Sequence, residues 1–194
     1  MAGLVASLRF FKTFLNSPKQ VGAILPSGPA LAKQITDPID FDAAKVIVEF
    51  GPGTGSFTRV LLERKRKDTR LIAFEINEEM ADFCASEFPD VELVRGSAEN
   101  LVAFLDEQKI AEIDAVVSGL PFANFPVPVQ TRILEGVAKS LKPGGLFLGF
   151  TYFHSSMVPA THRYRAKLKK MFANVDRIPV MKNVPPAYVM RCKR

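Results

Sequence analysis

The chain has 194 residues, 47% of them hydrophobic, with two cysteines, two histidines and a net charge of +6. That is apolar material for the core of one domain, whereas Cys84 with Cys192, and His154 with His162, lack the number and spacing of a disulfide scaffold or a metal site, so no metal is expected and both thiols read as free in a reducing compartment. No run has the length of a membrane span, and Arg9 and Lys12 break the N-terminal apolar stretch that a signal peptide needs, so the expected location is cytoplasmic or peripheral to a membrane.

Residues 4–15 read as an amphipathic helix. Leu4, Leu8, Phe11 and Leu15 recur at helical spacing with Phe14 beside them, while Arg9, Lys12, Thr13 and Asn16 gather on another side. The helix either lies in an anionic interface or packs on the rest of the fold. Gly22–Gly28 reads as a loop, and residues 29–36 as a second short helix. Residues 1–36 and 151–194 carry net charges of +4 and +9, while residues 37–150 carry −7. Two basic ends around an acidic middle point to nucleic acid or an anionic membrane as partner.

The segment Val46-Ile47-Val48-Glu49-Phe50-Gly51-Pro52-Gly53-Thr54-Gly55 reads as a buried strand, an acidic residue near its end, and a turn with three alternating glycines. Such glycines permit positive φ and close approach of a ligand to the backbone. The helix expected from Ser56 aims its N-terminus at the same place, which makes a site for a nucleotide-like cofactor. The spacing fits G-x-G-x-x-G poorly and lacks the Gly-Lys-Ser/Thr of a phosphate loop. The pattern E-x-G-x-G-x-G resembles the first motif of class I S-adenosylmethionine-dependent methyltransferases. Twenty residues after Gly55, Glu75 ends the next strand, where a carboxylate can accept both ribose hydroxyls or, alternatively, cap a helix.

Strands are expected at 45–50, 70–75, 91–95, 113–118 and 145–151, with helices at 56–65, 78–87, 98–106 and 128–141. Pro143-Gly144-Gly145 stops the last of these helices. A basic helix near 160–172 and strands near 174–181 and 186–192 follow. The alternation predicts a parallel sheet with helices on both faces. With the resemblance, the expected fold is α/β, a Rossmann-like class I methyltransferase with a mostly parallel seven-stranded sheet and an N-terminal helical extension. The expected division is residues 1–36 as extension and cofactor-closing loop, and 37–194 as the cofactor-binding domain.

Two loops complete the expected site. Gly96-Ser97-Ala98-Glu99 stands where the family usually reads Gly-Asp-Ala, so Ser97 replaces the acid that meets the adenine amino group, with Ala98 N–H facing the ring; Ser97 reads equally as a helix N-cap. Ser118-Gly119-Leu120-Pro121-Phe122 resembles the (Asn/Asp/Ser)-x-Pro-(Tyr/Phe) motif of adenine amino methyltransferases, in which the first residue and a backbone carbonyl hold the target amine and the ring stacks on the base. The resemblance implies S-adenosylmethionine as cofactor, bound by Glu49, Gly51, Pro52, Gly53, Thr54, Gly55, Glu75, Ile76, Ser97, Ala98, Glu99 and Ser118. The expected catalytic positions are Ser118, Gly119 and Leu120, with Tyr152 positioning the acceptor.

Across nearly the whole chain, Phe14-Leu15-x-x-Pro18, Val21-Gly22-Ala23-Ile24-x-Pro26-Ser27, the core motifs and Asn183-x-Pro185-Pro186-Ala187-x-Val189 resemble bacterial phospholipid N-methyltransferases, which convert phosphatidylethanolamine toward phosphatidylcholine. That implies a phospholipid substrate, an anionic membrane surface as partner and peripheral association with the inner face of the membrane. Residues 20–27 would close over the cofactor. Two other readings stay open: an RNA adenine N6-dimethyltransferase, for which Ser118 is less typical than Asn and the chain short of an RNA-binding domain, and a non-catalytic module of the same fold that binds membranes or proteins. DNA is not an expected partner.

Overall fold

One sheet in the order β3-β2-β1-β4-β5-β7-β6 organises the computed structural model, which describes residues 28–194. The helix expected over 4–15 and the loop over 20–27 lie outside the described residues. Strands β1 (Val46–Phe50), β2 (Arg70–Glu75), β3 (Glu92–Arg95), β4 (Ile113–Ser118) and β5 (Leu141–Tyr152) run parallel. β7 (Ala187–Lys193) is antiparallel to both β5 and β6 (Asn174–Val180). The sheet is the Rossmann-like methyltransferase arrangement expected from the sequence.

The central strands β1 and β4 are apolar apart from Glu49, Asp114 and Ser118, as suits strands covered on both faces. Helices α1 (Pro29–Thr36), α2 (Ser56–Arg64) and α3 (Glu78–Glu87) lie on one face, where Leu31, Ile35, Phe57, Leu61 and Cys84 pack with Ile47, Leu71 and Val117. Helices α4 (Leu101–Glu107), α5 (Val127–Ser140) and α6 (Pro159–Met171) cover the other, where Leu101, Ile133, Val137, Tyr164 and Leu168 pack with Val48, Ile72 and Val116. Both cysteines are free and buried, one in each face's core.

Two elements differ from expectation. β5 begins at Leu141 rather than 145, because Leu141 pairs with Ile113 and Leu146 with Ala115. Pro143-Gly144-Gly145 is therefore a bulge inside the strand, with Gly144 at φ 78°. The helix expected over 98–106 is a 3-10 turn, Ala98–Asn100, followed by α4. Ser97 Oγ accepts the Glu99 N–H and starts that turn.

Candidate active site

β1 has neighbours β2 and β4 whose crossovers run in opposite directions, so a crevice opens beyond its carboxyl end. Glycines carry the ladders one residue past the strands. Gly51 N–H donates to the Phe74 carbonyl at 2.9 Å, Gly119 N–H to Phe50 at 2.8 Å, and Gly96 N–H to Glu75 at 2.8 Å. These bonds hold the three sequence-predicted loops in one row. Gly51, Gly53 and Gly55 have φ of 65°, 52° and 82°. A Cβ on Gly55 would stand 2.2 Å from Phe88 Cζ, whereas one on Gly53 would meet nothing within 4 Å. Gly55 is thus a packing glycine and Gly53 borders open space. Gly55 caps α2 without a side-chain bond, and the Thr58 N–H in the first turn of that helix faces the Glu49 carboxylate. Pro52 is buried and Thr54 is exposed.

Two carboxylates sit behind this turn. Glu49 is 0% exposed. Its Oε2 accepts the Thr58 hydroxyl at 2.8 Å, while Oε1 is buried with no hydrogen-bond partner. Burial, with a smaller contribution from the Glu75 charge, pushes its pKa up to about 8. An unpartnered buried carboxylate oxygen fits a cationic ligand, and S-adenosylmethionine carries both an ammonium and a sulfonium. Glu75 Oε1 accepts the Ile76 and Asn77 N–H groups, each at 2.9 Å. Burial raises its pKa, opposed by the amides of Asn77, Gly53 and Ile76. A carboxylate has about four lone-pair sites, so capacity remains for ribose hydroxyls. Ile76 contributes that amide and packs its side chain on the core.

The other candidates divide. Ser97 and Ala98 are buried beside Gly96 at the end of β3. Glu99 Oε1 pairs with Arg132 Nε at 2.6 Å, and its side chain is 9% exposed. Ser118 is fully buried, and its Oγ accepts the Leu120 N–H at 3.1 Å. Leu120 roofs the glycine turn, since a Cβ on Gly51 would lie 2.7 Å from Leu120 Cδ2. Within the four-residue pattern ending at Phe122, the first position falls on Gly119 rather than Ser118. Gly119 offers only backbone, and a Cβ there would stand 2.6 Å from the Gly51 carbonyl oxygen. Phe122 also departs from expectation. It is 2% exposed and stacks on Tyr164 at 5.6 Å with an interplanar angle of 2°, so the ring is spent inside the core.

Tyr152 ends β5, farther out along the sheet. Val117 is level with Leu148, so β5 outruns the end of β4 by three residues. The Tyr152 ring is half-buried, stacked on His154 at 5.6 Å and edge-on to Phe150 at 5.3 Å.

Two supporting residues, Thr58 and Gln130, escaped the sequence reading, and a third, Asn183, entered it only as part of the C-terminal block. Thr58 holds Glu49 from the first turn of α2. Gln130 Nε2 donates to the Phe122 carbonyl at 2.8 Å and fixes the loop after β4. Its signal was a polar residue on a face otherwise made of Val129, Ile133 and Val137. Asn183, 1% exposed, accepts the Gly28 N–H at 3.0 Å and donates to the Pro185 carbonyl at 2.7 Å, which joins the C-terminal Pro-Pro-Ala block to the point where residues 1–27 enter.

Comparison with known proteins agrees with this geometry. Over 187 residues, the chain is 28% identical to an ornithine lipid N-methyltransferase of Singulisphaera acidiphila, covering 95% of this chain and 94% of that protein. It is 30% identical over 120 residues to ribosomal RNA small subunit methyltransferase A of Thermotoga maritima, covering 60% of this chain but only 39% of that protein. Among solved structures, an O-methyltransferase from Bacillus cereus in complex with SAH matches with a TM-score of 0.65 at 16% identity, over 99% of this chain and 91% of that one. An N-methyltransferase from Bradyrhizobium japonicum matches with a TM-score of 0.66 at 12% identity, over 88% and 99%. A family model described as a methyltransferase domain spans residues 47–145, from the second residue of β1 to the bulge of β5, and so takes in the glycine turn, Glu75 and both later loops. The chain belongs to that methyltransferase family, and its cofactor is S-adenosylmethionine.

Proposed function

We propose that the chain methylates the primary amine in the head group of a membrane lipid. The sequence resemblance favours phosphatidylethanolamine, on the way to phosphatidylcholine; the similarity to the Singulisphaera enzyme makes an ornithine lipid the second candidate. One observation carries the choice of a head group over a nucleobase: the Phe122 ring, which would stack on an adenine, is buried against Tyr164. The end-to-end similarity to a lipid N-methyltransferase, against partial coverage of the RNA enzyme, supports the same choice.

In this reading the Gly51–Gly55 turn, Glu49, Glu75, Ile76, Ser97 and Ala98 hold the cofactor, which supplies an electrophilic methyl group. Glu75 accepts the ribose hydroxyls, Ala98 N–H and Ser97 face the adenine, and the unpartnered Glu49 oxygen faces positive charge. The carbonyls of Ser118, Gly119 and Leu120 accept hydrogen bonds from the acceptor amine and orient its lone pair. The head-group ammonium first gives its proton to water. The rate gain then comes from proximity and alignment. Residues 1–36 act as the cofactor-closing and membrane-docking extension of the 37–194 domain, and the protein works at the inner face of the membrane. No helix among the described residues is long and apolar enough to cross it.

Incubation with methyl-radiolabelled S-adenosylmethionine and, separately, phosphatidylethanolamine vesicles, ornithine-lipid vesicles and total RNA tests the reading. Label in the first lipid is expected, and label in the second alone reassigns the acceptor. Label in RNA alone overturns the proposal. Cofactor binding without any transfer leaves a non-catalytic module.

A further inference from the structure

The carboxyl edge of the sheet continues past the cofactor loops into a surface that methyl transfer does not use. β5, β7 and β6 are level at Tyr152, Ala187 and Val180. The chain therefore leaves β5 at Phe153 and β6 at Met181 on the same edge, with β7 between them, and the Phe153 N–H donates to the Pro186 carbonyl of the second turn at 2.8 Å. Phe153, Met157 and Val158 follow β5 with exposures of 45%, 84% and 46%; Met181 and Val184, between β6 and β7, have 63% and 81%. Five large apolar side chains on two adjoining turns make a patch, not scattered exposure.

A groove of about 440 Å³ lies between α6 and the β6–β7 pair, with the paired Arg177 and Met190 three residues in from this rim. His162, Arg165 and Lys169, spaced three and four residues apart on one face of α6, line one wall, and Arg177 lines the other. Among the described residues, no carboxylate lines it. Asp176, the acid of residues 151–194, is ion-paired with Arg191 at 2.7 Å. Rim and groove are physically continuous: Arg177 lies 4.0 Å over the Tyr188 ring, which stacks on Phe153 at 5.1 Å. Exposed acids of the same sheet edge, Glu78 and Glu79, open α3 after β2, with β1 and β4 between β2 and β5.

We infer that the 153–158 and 181–184 turns, with the α6 groove, form a docking surface for an anionic lipid bilayer. The inference rests on the lipid reading above and adds the face that meets the membrane. The apolar turns enter the interface while the groove cations meet lipid phosphates. Apolar projections ringed by cations, with the acids held at the far side of the edge, complement an apolar layer beneath anionic head groups. RNA would leave the apolar turns unsatisfied. Docked in this way, the edge of β1 and β4 is held over the head groups.

The test is sedimentation of the full-length chain with vesicles of phosphatidylglycerol mixed with phosphatidylcholine, against phosphatidylcholine alone. The wild type is expected to prefer the mixed vesicles. Arg165→Ala combined with Lys169→Ala should lower that partition by tenfold or more, from about 1 kcal/mol per basic residue. Met157→Asp should lower it severalfold, with S-adenosylmethionine affinity by calorimetry showing that each variant is folded. Wild-type partition in both variants overturns the inference, as does a loss confined to RNA binding. Wild-type transfer to lipid dispersed in neutral detergent separates the two readings. Transfer there with undiminished vesicle binding by the variants removes the docking face alone. Absence of transfer with diminished vesicle binding removes the proposed reaction and leaves the docking face standing.

Discussion

The two halves of one sheet edge solve opposite problems. At the ends of β1 to β4 the polar side chains are turned inward: Glu49 and Ser118 are 0% exposed, and Glu75 and Ser97 are 7% exposed. Their burial is sustained by local donors, from Thr58, Ile76, Asn77, Glu99 and Leu120. At the ends of β5 to β7 the apolar side chains are turned outward, among cations. An inward polar edge suits a small ligand that must be desolvated. An outward apolar edge suits a surface larger than the protein.

The sharpest break between the halves comes from adding a methyl group to the backbone. Gly119→Ala places its Cβ 2.6 Å from the Gly51 carbonyl, a backbone atom that cannot swing away. Cofactor affinity and turnover should both fall, by a hundredfold or more. The same geometry rules out reading such a variant through turnover alone, because the acceptor loop and the glycine turn touch. Gly149→Ala, in β5, meets the Tyr164 hydroxyl at 3.4 Å and the Phe147 ring at 3.6 Å, both ordinary contacts, and should be nearly neutral. Calorimetry with S-adenosylmethionine on both proteins checks the contrast; equal losses would mean that the edge is not divided in this way.

Removing the Glu75 carboxylate is the next largest effect. Glu75→Ala should weaken S-adenosylmethionine by about 1.5–3 kcal/mol, roughly ten- to a hundredfold, the scale of hydrogen bonds to a charged group. Unchanged affinity in a folded variant would show that Glu75 serves only its own turn through Ile76 and Asn77.

A third effect is visible only in pH. With its pKa pushed up to about 8, Glu49 keeps its proton in the ligand-free fold over a range where the unfolded chain, with an ordinary pKa of 4.5, has released it. The folded state then binds more protons, so this contribution to stability is complete below about pH 4.5 and is lost as pH rises to about 8. Thermal unfolding of the ligand-free protein should show a Tm falling across that window, with Glu49→Gln flattening the slope. Bound S-adenosylmethionine should also reduce it, since positive charge beside the carboxylate favours ionisation. A parallel slope in Glu49→Gln would assign the effect elsewhere.

The acidic half was the more legible in sequence. Apolar runs ending in Glu49 and Glu75, with glycines at alternate positions after the first, state a strand, a turn and a site, and the structure joins them through main-chain bonds that need no particular partner. What escaped the sequence depends on contacts between distant segments or on which way a ring faces. Phe122 resembles a stacking residue until Tyr164, 42 positions later, is seen to cover it. The pairing of Glu99 with Arg132 of α5, 33 positions later, is likewise invisible in its own loop. Pro143-Gly144-Gly145 resembles a stop, and the pairing of Leu141 with Ile113 makes it a bulge instead. In the basic half, composition foretold charge but not the row of apolar turns, because nothing local says that Met157 and Met181 leave the sheet together.

The smallest predicted effect belongs to the seam between the halves. Asn183 lies in the β6–β7 connection, yet its side chain holds Gly28, the residue before α1, and α1 packs Leu31 and Ile35 under β1 and β7. Asn183→Ala leaves the Gly28 N–H and the Pro185 carbonyl without their buried partner and should destabilise the fold by about 1–2 kcal/mol, a Tm decrease of a few degrees for a chain of this size. Asn183→Asp separates the two bonds, since a carboxylate still accepts from Gly28 but cannot donate to Pro185. If the contact to Gly28 is the one that matters, the Asp variant should recover most of the Tm. If the contact within the turn matters, Asp should be as damaging as Ala, and the seam would be a property of the hairpin rather than a tie between the basic half and the segment entering the cofactor half.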